Sequence, residues 1–132
     1  SGQVLARLEM PEPKTGEEIE LPLEKLSTKK GTSAVYQLRF PKIGRYELVF
    51  RMSSTLGELA QLPISVFLNN TLQQTVTLNG TEGQTMERVV TLPIRQDGEK
   101  YMKLYFGESG IDMHRMFLRY VGKNDIESIR NE

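Results

Sequence analysis

The sequence predicts an all-β protein, an antiparallel jelly-roll β-sandwich of about eight or nine short strands. Three observations lead there. Apolar and polar residues alternate at period two in several runs, as they must where one strand face is buried and the other meets water. Turn residues (Gly, Pro, Asn, Asp) punctuate the chain roughly every 8–12 residues, the spacing of sandwiches and barrels. Between the runs there is no amphipathic helical pattern, which sets aside a parallel α/β fold.

The run on which the rest is organised is Gly44 to Asn70. Within it Tyr46, Leu48, Phe50 and Met52 fall on one face of a strand, and Arg45, Glu47, Val49 and Arg51 on the other. A second run places Ile64, Val66 and Leu68 on one face and ends at Asn69-Asn70. That pair suits a tight hairpin, because Asn tolerates positive φ. Between the two, residues 53–62 read as one helical turn or a loose loop, since Gly57 opposes a longer helix.

Taken from the start, Val4 to Met10 is a first strand stopped by Pro11-Glu12-Pro13, where a missing N–H ends pairing. Glu18 to Leu23 alternates weakly and holds a proline, as an edge strand does. Ser33 to Phe40 places Tyr36, Leu38 and Phe40 inward. Beyond the hairpin, Thr71 to Asn79 is rich in threonine and favours a strand. Asn79-Gly80 and Glu82-Gly83 read as turns, Met86 to Leu92 as a strand, and Asp97-Gly98 as a turn. Lys100 to Gly107 alternates sharply, with Met102, Leu104 and Phe106 inward and Tyr101, Lys103 and Tyr105 outward. The last strand runs from about Asp112 to Val121.

Composition narrows the function classes. The 132 residues suffice for one domain, expected over residues 1–122, with 123–132 as a polar tail or linker. Lys+Arg and Asp+Glu both total 17, and a nucleic-acid binder would show a basic surplus. No cysteine is present, which removes disulfides, thiolate metal sites and cysteine nucleophiles. No apolar run approaches the roughly 18 residues of a membrane span. A chain opening Ser-Gly-Gln, without Met, is expected to be a processed or excised piece of a larger protein.

The order of motifs resembles a known family. Gly44, Tyr46, Leu48, Phe50 and Arg51 are followed by Ile64, Val66, Leu68 and Asn69, then by Asp97, Gly98, Met102, Leu104 and Phe106. The closing run Gly110 to Met116 completes the set. Together they are similar to the galactose-binding-like jelly roll, in particular to family 6 and family 35 carbohydrate-binding modules. They also resemble C-terminal accessory domains of bacterial glycoside hydrolases. The resemblance implies a non-catalytic carbohydrate-binding or accessory module of a larger bacterial carbohydrate-active protein, secreted, periplasmic or on the cell surface. It implies aromatic residues gripping sugar and an asparagine opening the last strand, in whose place Asp112 stands. It also implies a structural calcium leaning on an N-terminal Glu-x-Glu, of which Glu9 is present.

Sugar recognition needs a flat apolar surface for the ring face and polar groups for its hydroxyls. With no tryptophan in the chain, Tyr101 and Tyr105 are the residues expected to stack, and Arg51 and Asp112 those expected to meet hydroxyls. The bland alternative is that both tyrosines are cross-strand packing residues. His114, the sole histidine, lacks converging partners and is expected to be satisfied by a neighbour. The acids Glu9, Glu12, Glu17 and Glu18 lie in a Pro-bounded segment read as a solvated loop, and no catalytic motif occurs. Arg115, Phe117 and Arg119 suggest a face for docking a neighbouring catalytic domain in the parent chain, since Arg and aromatic residues are enriched at interfaces. The second functional expectation follows from that face: a structural or interaction domain that binds no glycan.

Overall fold

The computed structural model describes residues 3–123, so all but the first residue of the tail expected over 123–132 lies outside the described residues. Nine strands form in the described chain: β1 (Val4–Glu9), β2 (Glu18–Glu20), β3 (Ser33–Phe40), β4 (Gly44–Ser53), β5 (Gln61–Leu68), β6 (Thr71–Asn79), β7 (Met86–Ile94), β8 (Gly98–Phe106) and β9 (Asp112–Gly122). They make two sheets, one in the order β1-β3-β8-β5-β6 and the other β2-β9-β4-β7. The pairings are antiparallel except that β1 joins β3 in parallel, which corrects the fully antiparallel expectation at one edge.

The residues expected inward do face the core. Tyr36, Leu38, Phe40, Tyr46, Leu48, Phe50, Met52, Ile64, Val66, Met102, Leu104 and Phe106 are all buried between the sheets. At the centre, Tyr46 meets Phe40 and Tyr120 edge to face, each with ring centroids 5.0 Å apart. A buried phenol needs a partner for its hydroxyl, and loop carbonyls supply it. Tyr36 donates to Pro22 (2.7 Å), Tyr46 to Lys42 (2.8 Å) and Tyr120 to Ile43 (3.2 Å). Burial pushes the Tyr36 phenol up to about 12, with the Glu24 carboxylate adding to the rise. Tyr46 is raised further, by the same desolvation first and then by Tyr120.

Asn69 and Asn70 turn the β5–β6 hairpin with φ of 47° and 68°, the left-handed pair of a two-residue type I′ turn. Gly44 opens β4 at φ 144°, and a Cβ there would sit 2.7 Å from the Tyr120 ring. Pro93 does not end its strand. It pairs with Arg45 within β7, because β7 is a sheet edge whose outer N–H groups need no partner. Residues 54–60 form neither a helical turn nor a loose loop. They are clamped to residues 80–83 by Thr81 N–H and Gly83 N–H donating to the Ser54 carbonyl (3.3 and 2.7 Å) and Glu82 N–H donating to Leu56 (3.0 Å). Ser54 is fully buried, and its N–H donates to the Thr81 hydroxyl at 2.8 Å.

Candidate functional site

β8 lies in the middle of the five-stranded sheet, and its odd-numbered side chains project from the outer face. Tyr101 and Tyr105 stand there 46% and 41% exposed. At the strand rise of about 3.3 Å per residue they are ~13 Å apart, wider than one sugar ring. Lys103 lies between them and holds its ammonium 4.5 Å from the centroid of the Phe67 ring on the adjacent β5. The polar groups of the neighbouring strands border this row. Gln37 is in register with Tyr101, and Ser33 and Ser65 with Tyr105. Arg7 donates to the Gln37 side chain (2.9 Å), and the hydroxyls of Ser65 and Thr75 share a hydrogen bond of 2.9 Å. The result is an open strip of aromatic rings with a cation at its centre and hydroxyl and amide groups along its sides.

Arg51 does not belong to this strip. It sits on β4, in the other sheet, with its guanidinium 3.7 Å from Glu87. The two outer faces of a sandwich point away from each other, so Arg51 cannot serve one ligand together with Tyr101 and Tyr105. Asp112 is also separate. It is exposed at the first position of β9, in register with Ser53, at the end of the four-stranded sheet. Beside it the His114 ring (Nε2) and the Ser53 hydroxyl share a hydrogen bond of 2.7 Å, so the histidine has the neighbour expected of it.

The face expected to dock a catalytic domain is already occupied from within. Phe117 is only 1% exposed on the outer side of β9, beside Val49 of β4 and Glu20 of β2. Arg115 lies over its ring at 4.1 Å and donates to Glu18 (2.7 Å) and to Glu20. Arg119 donates to Glu47 at 2.8 Å. An interface anchor must offer uncovered apolar area, and this one is sealed by its own arginines and glutamates.

The calcium expected at Glu9 does not fit the residues present. Glu9 shares a depression with Arg7, Arg39 and Glu99, and both carboxylates are drawn to the Arg39 guanidinium, Glu9 at 3.9 Å and Glu99 at 3.6 Å. Two guanidinium groups oppose a divalent cation there, and among the described residues no cluster of three or more acid or histidine side chains forms.

A larger groove, about 420 Å³, opens between the β5–β6 hairpin and the turn from β7 to β8. Leu68 and Ile94 make its apolar floor, and Gln73, Gln96, Arg95 and Lys100 its polar walls. No local pattern points to it, because its residues come from four strand ends and two turns that meet only in the folded chain.

The architecture is a two-sheet β-sandwich, a fold shared with solved carbohydrate-binding modules. A family 35 carbohydrate-binding module from Clostridium thermocellum superimposes with a TM-score of 0.59 at 13% identity, over 76% of this chain and 86% of that one. The module CBM6cm-2 of Cellvibrio mixtus lichenase 5A, solved with cellotriose, gives 0.55 at 16% identity over 71% and 74%. At such identities the likeness establishes the fold. In sequence, the chain is 28% identical over 96 residues to a β-glucosidase of Ruminococcus albus, covering 73% of this chain. It spans about 10% of that enzyme's length. No family model matches the chain.

Proposed function

We propose that the chain is a non-catalytic carbohydrate-binding module of a larger, extracellular carbohydrate-active protein. It holds an oligosaccharide along the outer face of the five-stranded sheet, with Tyr101 and Tyr105 stacking on sugar rings. The observation that carries this reading is the pair of half-exposed tyrosines aligned on the outer face of one strand. A tyrosine with no cross-sheet cover leaves its apolar face to water, and a pyranose ring supplies the apolar C–H surface that removes it. The ~13 Å spacing selects an oligosaccharide over a monosaccharide, because one ring cannot touch both tyrosines. The likeness to carbohydrate-binding modules and to a segment of a β-glucosidase supports the same class. Stacking on two rings with no enclosing pocket gives weak binding, millimolar to tens of micromolar, about 4–6 kcal/mol.

The experiment is affinity electrophoresis through gels containing soluble polysaccharides, with the chain compared to Tyr101→Ala/Tyr105→Ala. Retention in at least one polysaccharide, lost in the double variant, is the expected result. Retention that survives in the double variant removes the platform from the reading.

A second reading has one observation of its own. Leu59 is 92% exposed on the loop that residues 80–83 clamp, so a large aliphatic side chain projects into water from a hydrogen-bonded loop. An apolar knob of this kind suits a contact with a neighbouring domain of the parent chain, with no glycan bound. Silence of the wild-type chain across a broad polysaccharide panel favours this reading over the first.

A further inference from the structure

We propose that the groove between the β5–β6 hairpin and the β7–β8 turn is a second ligand site, one that takes an anionic sugar with Lys100 as its charge partner. The argument starts from the position of Lys100. It occupies an inward-facing place on β8, on the same side as Met102 and Leu104, where it is half-buried and lines the groove. Among the described residues no carboxylate lies within ion-pair distance of it, and the adjacent Glu99 is turned to Arg39 at 3.6 Å. With no carboxylate partner among the described residues, Lys100 can give an arriving anion a charge-assisted hydrogen bond without first breaking an ion pair of its own.

The walls agree. Among the described residues no acidic side chain lines the groove, and Gln73 and Gln96 add amide donors and acceptors. The volume of about 420 Å³ is within the range of roughly 300–1,000 Å³ found for small-molecule sites, and such sites combine an apolar floor with a few polar groups. Leu68 and Ile94 give the floor a surface for the apolar side of a ring, and the glutamines can reach hydroxyls. A carboxylate or phosphate on a hydroxylated ring therefore suits Lys100, the glutamines and the apolar floor together, which a bare anion or a neutral sugar does not. The hairpin wall is firmly placed, since the Asn69 carboxamide accepts the Tyr101 N–H and the Asn69 N–H donates to the Tyr101 carbonyl, both at 2.9 Å. This site stands apart from the tyrosine strip: Lys100 and Tyr101 alternate to opposite sides of the same strand.

The test is an amide NMR titration of the whole chain with glucuronate, glucose 6-phosphate, glucose and inorganic phosphate in turn. Saturable shifts are expected for residues 68–73 and 93–100, with at least one anionic sugar binding about tenfold more tightly than glucose, the size of one charge-assisted hydrogen bond. The tighter of the two anionic sugars identifies the source of the charge. Lys100→Gln should weaken that binding about tenfold and Lys100→Arg should retain it, while Tyr101→Ala/Tyr105→Ala should leave it unchanged and so separates this site from the platform. If Lys100→Gln fails to fold, the exposed Gln96→Ala serves instead and should weaken binding measurably. Equal binding of glucose, binding of inorganic phosphate as tight as that of either anionic sugar, wild-type affinity in Lys100→Gln (or in Gln96→Ala where it stands in), or no shifts in the groove overturns the proposal.

Discussion

Replacing Gly80 by alanine should destabilise the protein more than any other glycine-to-alanine change at the loop end of the sandwich. Gly80 needs no left-handed backbone, so the usual argument for a turn glycine does not apply to it. What it needs is room. A Cβ at this position would lie 2.6 Å from the carbonyl carbon of Leu56 and closer still to the carbonyl oxygens of Leu56 and Gly57. Those atoms are backbone and cannot rotate away, so the 54–60 loop must retreat by about 1 Å to restore ordinary contact. The retreat acts on hydrogen bonds that hold this loop: Glu82 N–H to Leu56 (3.0 Å), Gly80 N–H to Ala60 (3.3 Å) and Ala60 N–H to Gly57 (3.0 Å). Two or three weakened bonds at about 1 kcal/mol each, with the overpacking strain, give about 3 kcal/mol. For a domain of this size that lowers Tm by about 10 °C. Thermal unfolding followed by far-UV circular dichroism reads it, with Gly57→Ala as the control, because a Cβ at Gly57 meets nothing within 4 Å. A Gly80→Ala loss below about 0.5 kcal/mol, equal to the control, would refute the close-contact argument.

Other expectations follow from the same structure. Phe117→Ala should cost about 3 kcal/mol or more in chemical denaturation, as a sealed aromatic does, whereas a docking residue on a free surface would cost almost nothing. Arg51→Ala should leave polysaccharide retention intact in affinity gels, since it lies on the sheet opposite the tyrosine strip; loss of retention would move the site to the other face. Stability should fall as pH rises from about 10 to about 12, because the unfolded chain ionises Tyr36 near its ordinary value while the folded chain resists until about 12. Below pH 10 the neutral phenol is present in both states and the contribution is complete. Denaturant midpoints across this window should fall less steeply in Tyr36→Phe, and an identical slope would remove Tyr36 as a source.

Much of the fold was legible in the sequence because a strand's faces are a local property. Period-two alternation alone placed Tyr46, Leu48, Phe50 and Met52 inward on β4 and Tyr101, Lys103 and Tyr105 outward on β8, and Asn69-Asn70 announced its own backbone turn. That His114 would be satisfied by a neighbour was legible too, and the Ser53 hydroxyl is that neighbour. What alternation does not carry is which sheet a strand joins. Arg51 and Tyr101 are both outward residues, yet they lie on opposite sides of the molecule, because β4 and β8 belong to different sheets. Nor does it carry what lies over an outward residue: Phe117 reads as exposed along β9, and only the arrival of β2 with Glu18 and Glu20 pins Arg115 across its ring. Gly80 reads as a turn signal, and only the folded loop shows that space rather than backbone angle requires it. The groove at Lys100 belongs to the same class. Its walls come from residues far apart in the chain, and long-range juxtaposition is fixed by the packing of the two sheets, not by any local pattern.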